Sequence, residues 1–360
     1  MWFLSDNAGP AHPSVLDALA RANAGHAAGY GDDAVTARVV ARIREIFEAP
    51  EAAVRLVATG SAANVLTLAC LCPPWGTVFC HTHAHVQEDE CGALGFYAGG
   101  ATTTPVEGAH GRIDPAALAA AIARAGGSVH QVQPGAVTLT NATEAGAVYD
   151  PDAVARLAAV ARAAGLPVHM DGARFANAVA SLGCAPAELT WKAGVDALSF
   201  GGTKNGLMGV EAVILFDPAR AWELELRRKR AGHLFSKHRF LAAQMEAYLA
   251  DGLWLDLAGR ANAAAARLSA GVAAIPGARI EHPTEANEVF AAWPRAGHRR
   301  ARAAGAQYYL WSFDDPAAAT LDGPDDVLVP ARLVCDWSAD PAAIDRFVAL
   351  ARGEEVAQRA

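Results

Sequence analysis

Three short stretches of the chain carry residue types that could do covalent chemistry. In "VDALSFGGTKNGL" a run of strand-forming residues ends in Gly201-Gly202-Thr203 and a single lysine, Lys204. Two glycines let the backbone turn sharply and lie close to a ligand. A lysine there is either a surface loop residue or an amine kept neutral enough to form a Schiff base. In "LPVHMDGARFANA" Asp171 falls just past an apolar run, with Arg174 three residues on. A lone carboxylate at such a place is costly, so it either caps a helix beside a salt bridge or bonds a protonated pyridine nitrogen. In "LVATGSAANVLTLACL" a strand passes through Gly60-Ser61 into an apolar helix, whose free N–H groups and dipole suit a phosphate. Each signal is weak alone. In this order, each at a strand end, they supply the cradle, ring partner and imine lysine that pyridoxal phosphate (PLP) needs.

A fourth stretch, "CHTHAHVQEDEC", places His81, His83 and His85 at every second position between Cys80 and Cys91. A metal site needs three or four converging ligands whose outer atoms are themselves hydrogen-bonded. On an extended strand these histidines would share a face. The run leaves the strand "TVFC" for a loop, however, and its acids suit the first turn of a helix. The expectation is no metal, with His81 and His83 ordinary loop residues.

These residues need a scaffold, and the chain supplies strands and helices in alternation. "VRLVAT" (54–59), "TVFC" (77–80), "AVTLT" (136–140), "LPVHM" (166–170), "VDALSF" (195–200) and "EAVILF" (211–216) read as strands. Between two of them, "PDAVARLAAVARAAG" reads as a helix capped by Asp150, begun by Pro151 and ended by Gly165. Alternation of this kind predicts an α/β domain with a mostly parallel sheet, which binds ligands at the carboxyl ends of its strands. From about residue 248 the pattern changes to Ala-rich helices and then the strands "RIEHP", "VFAAWP" and "VLVPARLVCDW". Two domains are expected, 1–248 holding the cofactor and a smaller α+β domain over 249–360.

Composition excludes several other functions. The chain has 360 residues, 52% hydrophobic and 19% charged, with a formal charge of −8 and no basic tail, so nucleic acid is not an expected partner. The basic run "RRKRAGHLFSKHR" (227–239) reads mostly as a solvated helix face. No apolar run approaches the roughly 20 residues that span a bilayer. The start, "MWFLSDNAGPAHP", lacks the basic and apolar regions of a signal peptide. Six cysteines, several in apolar stretches, suit reduced thiols in a cytoplasm.

The chain resembles the low-specificity L-threonine aldolases of the β-eliminating lyase family, along nearly its whole length. The likeness lies in "SDNAGPAHP" (5–13), "YGDD" (30–33), "AHVQEDECGA" (84–93), "TNATEAGAVY" (140–149), "HMDGARFANA" (169–178), "ELTWKAGVDALSFGGTKNG" (188–206) and "ARLVCDW" (331–337). It implies a fold-type I PLP enzyme that cleaves L-threonine or L-allo-threonine to glycine and acetaldehyde. A phenylserine-type or other β-hydroxy-α-amino acid aldolase would share the scaffold. It implies Lys204 as the Schiff-base lysine, Asp171 on the pyridine nitrogen, and Gly60 and Ser61 in the phosphate loop. His85 would stack on the ring and help handle the substrate hydroxyl, with His130 near the substrate β-carbon. Ser5, Arg174 and Arg332 would hold the α-carboxylate. Tyr30 would approach a neighbouring subunit's site and Lys237 a neighbour's phosphate, in a dimer or a dimer of dimers. Ser61 stands where threonine is common and Asn141 where glutamine is.

Overall fold

A computed structural model describes residues 1–354. Seven strands form the larger sheet: β1 (Ala53–Val57), β2 (Gly76–His81), β3 (Thr102–Val106), β4 (Gln133–Thr140), β5 (Val168–Gly172), β6 (Ala197–Phe200) and β7 (Glu211–Leu215). Their order is β1-β7-β6-β5-β4-β2-β3. The block β6-β5-β4-β2-β3 is parallel, and β7 runs antiparallel to both β6 and β1. The inner parallel strands β2, β5 and β6 are buried along their whole length, which is why they read as apolar runs rather than alternating ones. All six strands expected here are present. The sequence reading missed β3, "TTTPV", an edge strand in which Pro105 is tolerated.

Local chemistry sets the helices between these strands. Asp150 accepts the N–H of Ala153 at 2.6 Å to start the helix Pro151–Ala163, and Gly165 follows in the left-handed region at φ +70°. Thr59 likewise caps the helix Gly60–Leu71 through the N–H of Ala62. That helix is buried over nearly all its surface, packed between the sheet and its neighbours, so it shows no polar face.

A second sheet has the order β10-β11-β9-β8, all antiparallel: β8 (Arg279–Ile280), β9 (Glu288–Pro294), β10 (Tyr309–Leu310) and β11 (Leu328–Val334). The helix Leu253–Ala273 joins the two parts. Leu257 and Ala258 pack into the core of the large sheet, and Ala265, Leu268 and Val272 into the core of the small one. Phe3 also packs into the small core, so the N-terminal segment crosses the molecule to reach it. The last residues of the stretch 249–360, from 355 on, lie outside the described residues. No described helix is long and apolar enough to cross a membrane.

Candidate active site

The parallel strands deliver the site. Backbone register sets Thr140 at the end of β4 beside Asp171 on β5, and Asp171 beside Ser199 on β6. A cavity of about 400 Å³ opens there. Gly60, Ser61, Asn64, His85, Thr140, Glu144, Asp171, Arg174, Lys204 and Glu211 are among the residues that line it. Segments of the chain from Gly60 to Glu211 thus meet at one place, at the carboxyl ends of the parallel strands.

Asp171 is buried, and each of its carboxyl oxygens accepts one hydrogen bond. Its Oδ1 accepts the N–H of Ala173 at 3.0 Å, and its Oδ2 accepts the Asn64 amide at 2.7 Å. Asn64 projects from the first turns of the helix Gly60–Leu71 and donates also to Glu90 Oε1 at 3.0 Å. Glu90 in turn accepts His85 Nδ1–H at 2.8 Å. This bond to Glu90 is the main cause that raises the His85 pKa, against the opposing effect of burial. The imidazole is therefore held toward its charged form. Behind Asp171 on the same face of β5, His169 lies between Thr138 and Ser199 at 2.9 Å each, and burial pushes its pKa down to about 4.

Two buried carboxyls face the same cavity. Glu144 Oε1 accepts the backbone N–H of His85 at 2.8 Å and the Thr140 hydroxyl at 2.9 Å. Burial pushes its pKa up to about 7, with the charge of Asp171 adding to the effect. Glu211 accepts the N–H of Gly202, and burial pushes it up to about 7 as well. Sequence reasoning passed over both, although "TNATEAGAVY" already held an acid amid apolar residues just past a strand.

Arg174 departs from its expected role. Its Nε and Nη2 form a fork with Asp6 at 2.7 and 3.0 Å, and its Nη1 lies 3.1 Å from Glu288. Both carboxylates are buried, so the bidentate face that could grip an α-carboxylate is already taken by Asp6. Arg332 is freer. Its Nη2 reaches the carbonyl of Leu4 at 3.4 Å, next to Ser5, its Nε has no partner among the described residues, and its guanidinium lies 5.5 Å from the rings of Tyr309 and Trp311.

Other expected site residues lie elsewhere. His130 sits on an exposed turn just before β4, whose first residue, Gln133, pairs with Gly76 at the start of β2. It therefore stands at the amino edge of the parallel strands, opposite the cavity, which corrects the expectation that it works near the substrate β-carbon. Tyr30 and Lys237 are exposed and do not line this chain's cavity. Tyr30 instead lies under Lys229, 5.1 Å from its ring. The basic run is less solvated than expected, since Arg228 and His238 are buried and Arg228 pairs with Glu225 at 2.9 Å.

The three histidines of the opening run have separate partners. His81 is the buried last residue of β2, not a loop residue, with Nε2 on the carbonyl of Gly108 at 3.0 Å and Nδ1 accepting the N–H of His83. His83 pairs with Glu88 at 3.1 Å, and His85 with Glu90. Glu88 also lies in the first turn of the short helix His85–Glu88, as expected of an acid at a helix start.

The residues present fit a phosphorylated ring cofactor. A Cβ at Gly60 would meet nothing within 4 Å, so the backbone opens to the cavity at a helix start with free N–H groups. The aligned sequence pattern of the Beta-eliminating lyase family matches residues 3–294. The chain belongs to this family. Relatives agree in length as well as sequence. The low specificity L-threonine aldolase of Pseudomonas sp. is 40% identical over 347 residues, 96% of each chain. The protein of the same name from Pseudomonas aeruginosa is 41% identical over 350 residues, covering 97% of this chain and 96% of its own. Among solved structures, a threonine aldolase from Leishmania major superimposes with a TM-score of 0.86 at 28% identity, over 98% of both chains. The family is one of fold-type I enzymes, and the mixed seven-stranded sheet described above is that fold.

Proposed function

We propose that this chain is a carbon–carbon lyase that uses PLP to cleave L-threonine and L-allo-threonine into glycine and acetaldehyde. One observation carries the reading: Lys204, Asp171, Gly60, Ser61 and His85 line a single cavity in a chain that shares about two-fifths of its residues with low specificity L-threonine aldolases over nearly full length.

PLP, when bound, supplies a protonated ring that withdraws electrons from the substrate Cα. Lys204 would hold it covalently, the N–H groups at Gly60 and Ser61 its phosphate, Asp171 its ring nitrogen, and His85 one face of the ring. Asn64 and the N–H of Ala173 each donate to one oxygen of Asp171 and fix its carboxyl group in place for that nitrogen. Arg332, with Ser5 beside it, is the free cation for the substrate α-carboxylate. Arg174 orients the N-terminal segment through Asp6. By holding the α-carboxylate, Arg332 and Ser5 would orient the substrate and so set which of its bonds at Cα is presented for cleavage.

Further parts of the reading rest on simpler support. All six cysteines are free thiols, which suits the cytoplasm. Tyr30 and Lys237 are free to serve a neighbouring subunit, which suits a homo-oligomer with shared sites. The test is the protein as purified. It should be yellow, lose the colour on borohydride treatment, carry the reduced pyridoxyl group on Lys204, and release glycine from L-threonine. An adduct mapped to another lysine, or no glycine from L-threonine, L-allo-threonine or L-phenylserine, would overturn it.

A further inference from the structure

We propose that Glu144, not a histidine, is the catalytic base that takes the proton from the substrate β-hydroxyl. The inference rests on the retro-aldol reading above and adds to it the residue that moves the proton.

The two oxygens of Glu144 have different surroundings. Oε1 is fixed by two donors from two elements, the N–H of His85 at 2.8 Å and the Thr140 hydroxyl at 2.9 Å. Oε2 is buried and has no hydrogen-bond partner among the described residues, on a side chain that lines the cavity. A buried acceptor without a donor is costly. A hydroxyl placed in the cavity supplies that donor. The anchored oxygen also fixes the orientation of the free one, which is what a base needs before its substrate arrives.

The histidines fit the role less well. His130 lies at the other edge of the sheet. His85 offers its Nδ1–H to Glu90, which favours the imidazolium, a poor proton acceptor. Glu144 is the reverse case, a carboxyl whose burial brings it to about 7, where a base works near neutral pH. The charged and titratable groups around it are Asp171, which raises its pKa, His85, Arg174, Tyr149 and Cys80. The step balances within the substrate. The β-hydroxyl proton passes to Oε2, and the O–H pair becomes the second bond of the aldehyde carbonyl. The Cα–Cβ pair stays with the glycine fragment, where a proton returns to Cα.

Glu144→Gln keeps the shape and an oxygen for His85 and Thr140 but cannot accept the proton. Its kcat on L-threonine should fall on the order of 10²-fold or more, while exchange of the glycine α-proton with deuterated water, which needs no β-hydroxyl base, should stay near the wild-type rate. Carbon-13 spectra of the purified protein should show two carboxyls titrating near neutral pH, Glu144 and Glu211, and E144Q should remove one. The acid limb of the wild-type kcat/KM profile should follow that carboxyl. Equal loss of both reactions would make Glu144 a structural residue only, and unchanged cleavage would remove it from the chemistry. Either result overturns the proposal, as would two neutral-range carboxyls surviving in E144Q. Failure of the wild type to release glycine would instead overturn the retro-aldol reading itself, and the step with it.

Discussion

Asn64 donates one amide hydrogen to Asp171 at 2.7 Å and the other to Glu90 at 3.0 Å. The helix that opens at Gly60 is thereby tied both to Asp171, the proposed partner of the ring nitrogen, and, through Glu90, to His85. One side chain sets the spacing of three groups proposed to hold one cofactor. Asn64→Ala removes a charge-assisted bond to Asp171, which typically contributes about 1.5–3 kcal/mol. The affinity for pyridoxal phosphate should drop on the order of tenfold to a hundredfold, with the fold kept. Fluorescence titration of the cofactor onto stripped protein reads the effect, and an unchanged affinity would show that Asp171 is positioned without Asn64.

Arg174 and Arg332 should fail in different ways. Removing Arg174 leaves Asp6 and Glu288 as buried carboxylates without their cation, and breaking a buried pair typically costs about 3–5 kcal/mol. Arg174→Ala should lower the unfolding midpoint markedly. Among the described residues Arg332 pairs with no carboxylate, and it lies against two rings, so Arg332→Ala should spare stability and raise KM for amino-acid substrates. Thermal unfolding beside steady-state kinetics separates the two. Equal stability losses in both variants would contradict the division of roles.

The strands of the large sheet were legible because buried parallel strands are plain apolar runs. The polar stretch "TTTPV" gave no such signal, since threonines beside Pro105 read equally well as a turn. Lys204, Asp171 and Gly60 could be placed because each lies at or just past the end of a strand. The groups that tune them could not. Asn64 meets Asp171 across 107 residues, and Asp6 meets Arg174 across 168. Spacing carries no information on such pairs. His130 failed for a related reason, since a resemblance in sequence does not say at which edge of the sheet a turn lies.

The histidine run should divide by partner rather than act as a unit. His85→Asn removes the ring held by Glu90 and should weaken cofactor retention or turnover on the order of 10²-fold. His81→Ala breaks two bonds in a buried strand end. It should cost about 1–3 kcal/mol of stability while the folded fraction keeps its activity. His83→Ala should be nearly silent on both, and EDTA should leave activity intact. Parallel loss of activity in all three variants, together with stoichiometric zinc, would point to a shared metal instead.

The four-stranded sheet packs against a pH-sensitive histidine away from the candidate site. His298 stacks on Trp293 with ring centroids 3.8 Å apart. Its Nε2 donates to the carbonyl of Val329 at 3.0 Å, so Nδ1, 3.0 Å from the Tyr308 hydroxyl, accepts a hydrogen bond and the ring is neutral. Burial is the main cause that pushes its pKa down to about 3, and the nearby Arg302 and Arg295 add to it. The unfolded chain binds a proton at this residue below about 6.5, whereas the folded chain does not until near 3. Between those values the unfolded state holds the extra proton, so this histidine's contribution to stability is full above pH 6.5 and is lost as the pH falls. His298→Gln loses the stack and should be the less stable protein at pH 7. It has no such proton to gain, however. The gap between the two proteins should therefore close by about 1.4 kcal/mol for each pH unit below 6.5. Glu144 and Glu211, raised to about 7, make stability contributions that run the opposite way, present at low pH and lost as the pH rises. Both proteins share them, so they cancel in the difference. Urea unfolding of the pair at pH 7, 6 and 5 measures this directly. A gap that stays constant over that range would mean that His298 takes up its proton in the folded protein as readily as in the unfolded chain.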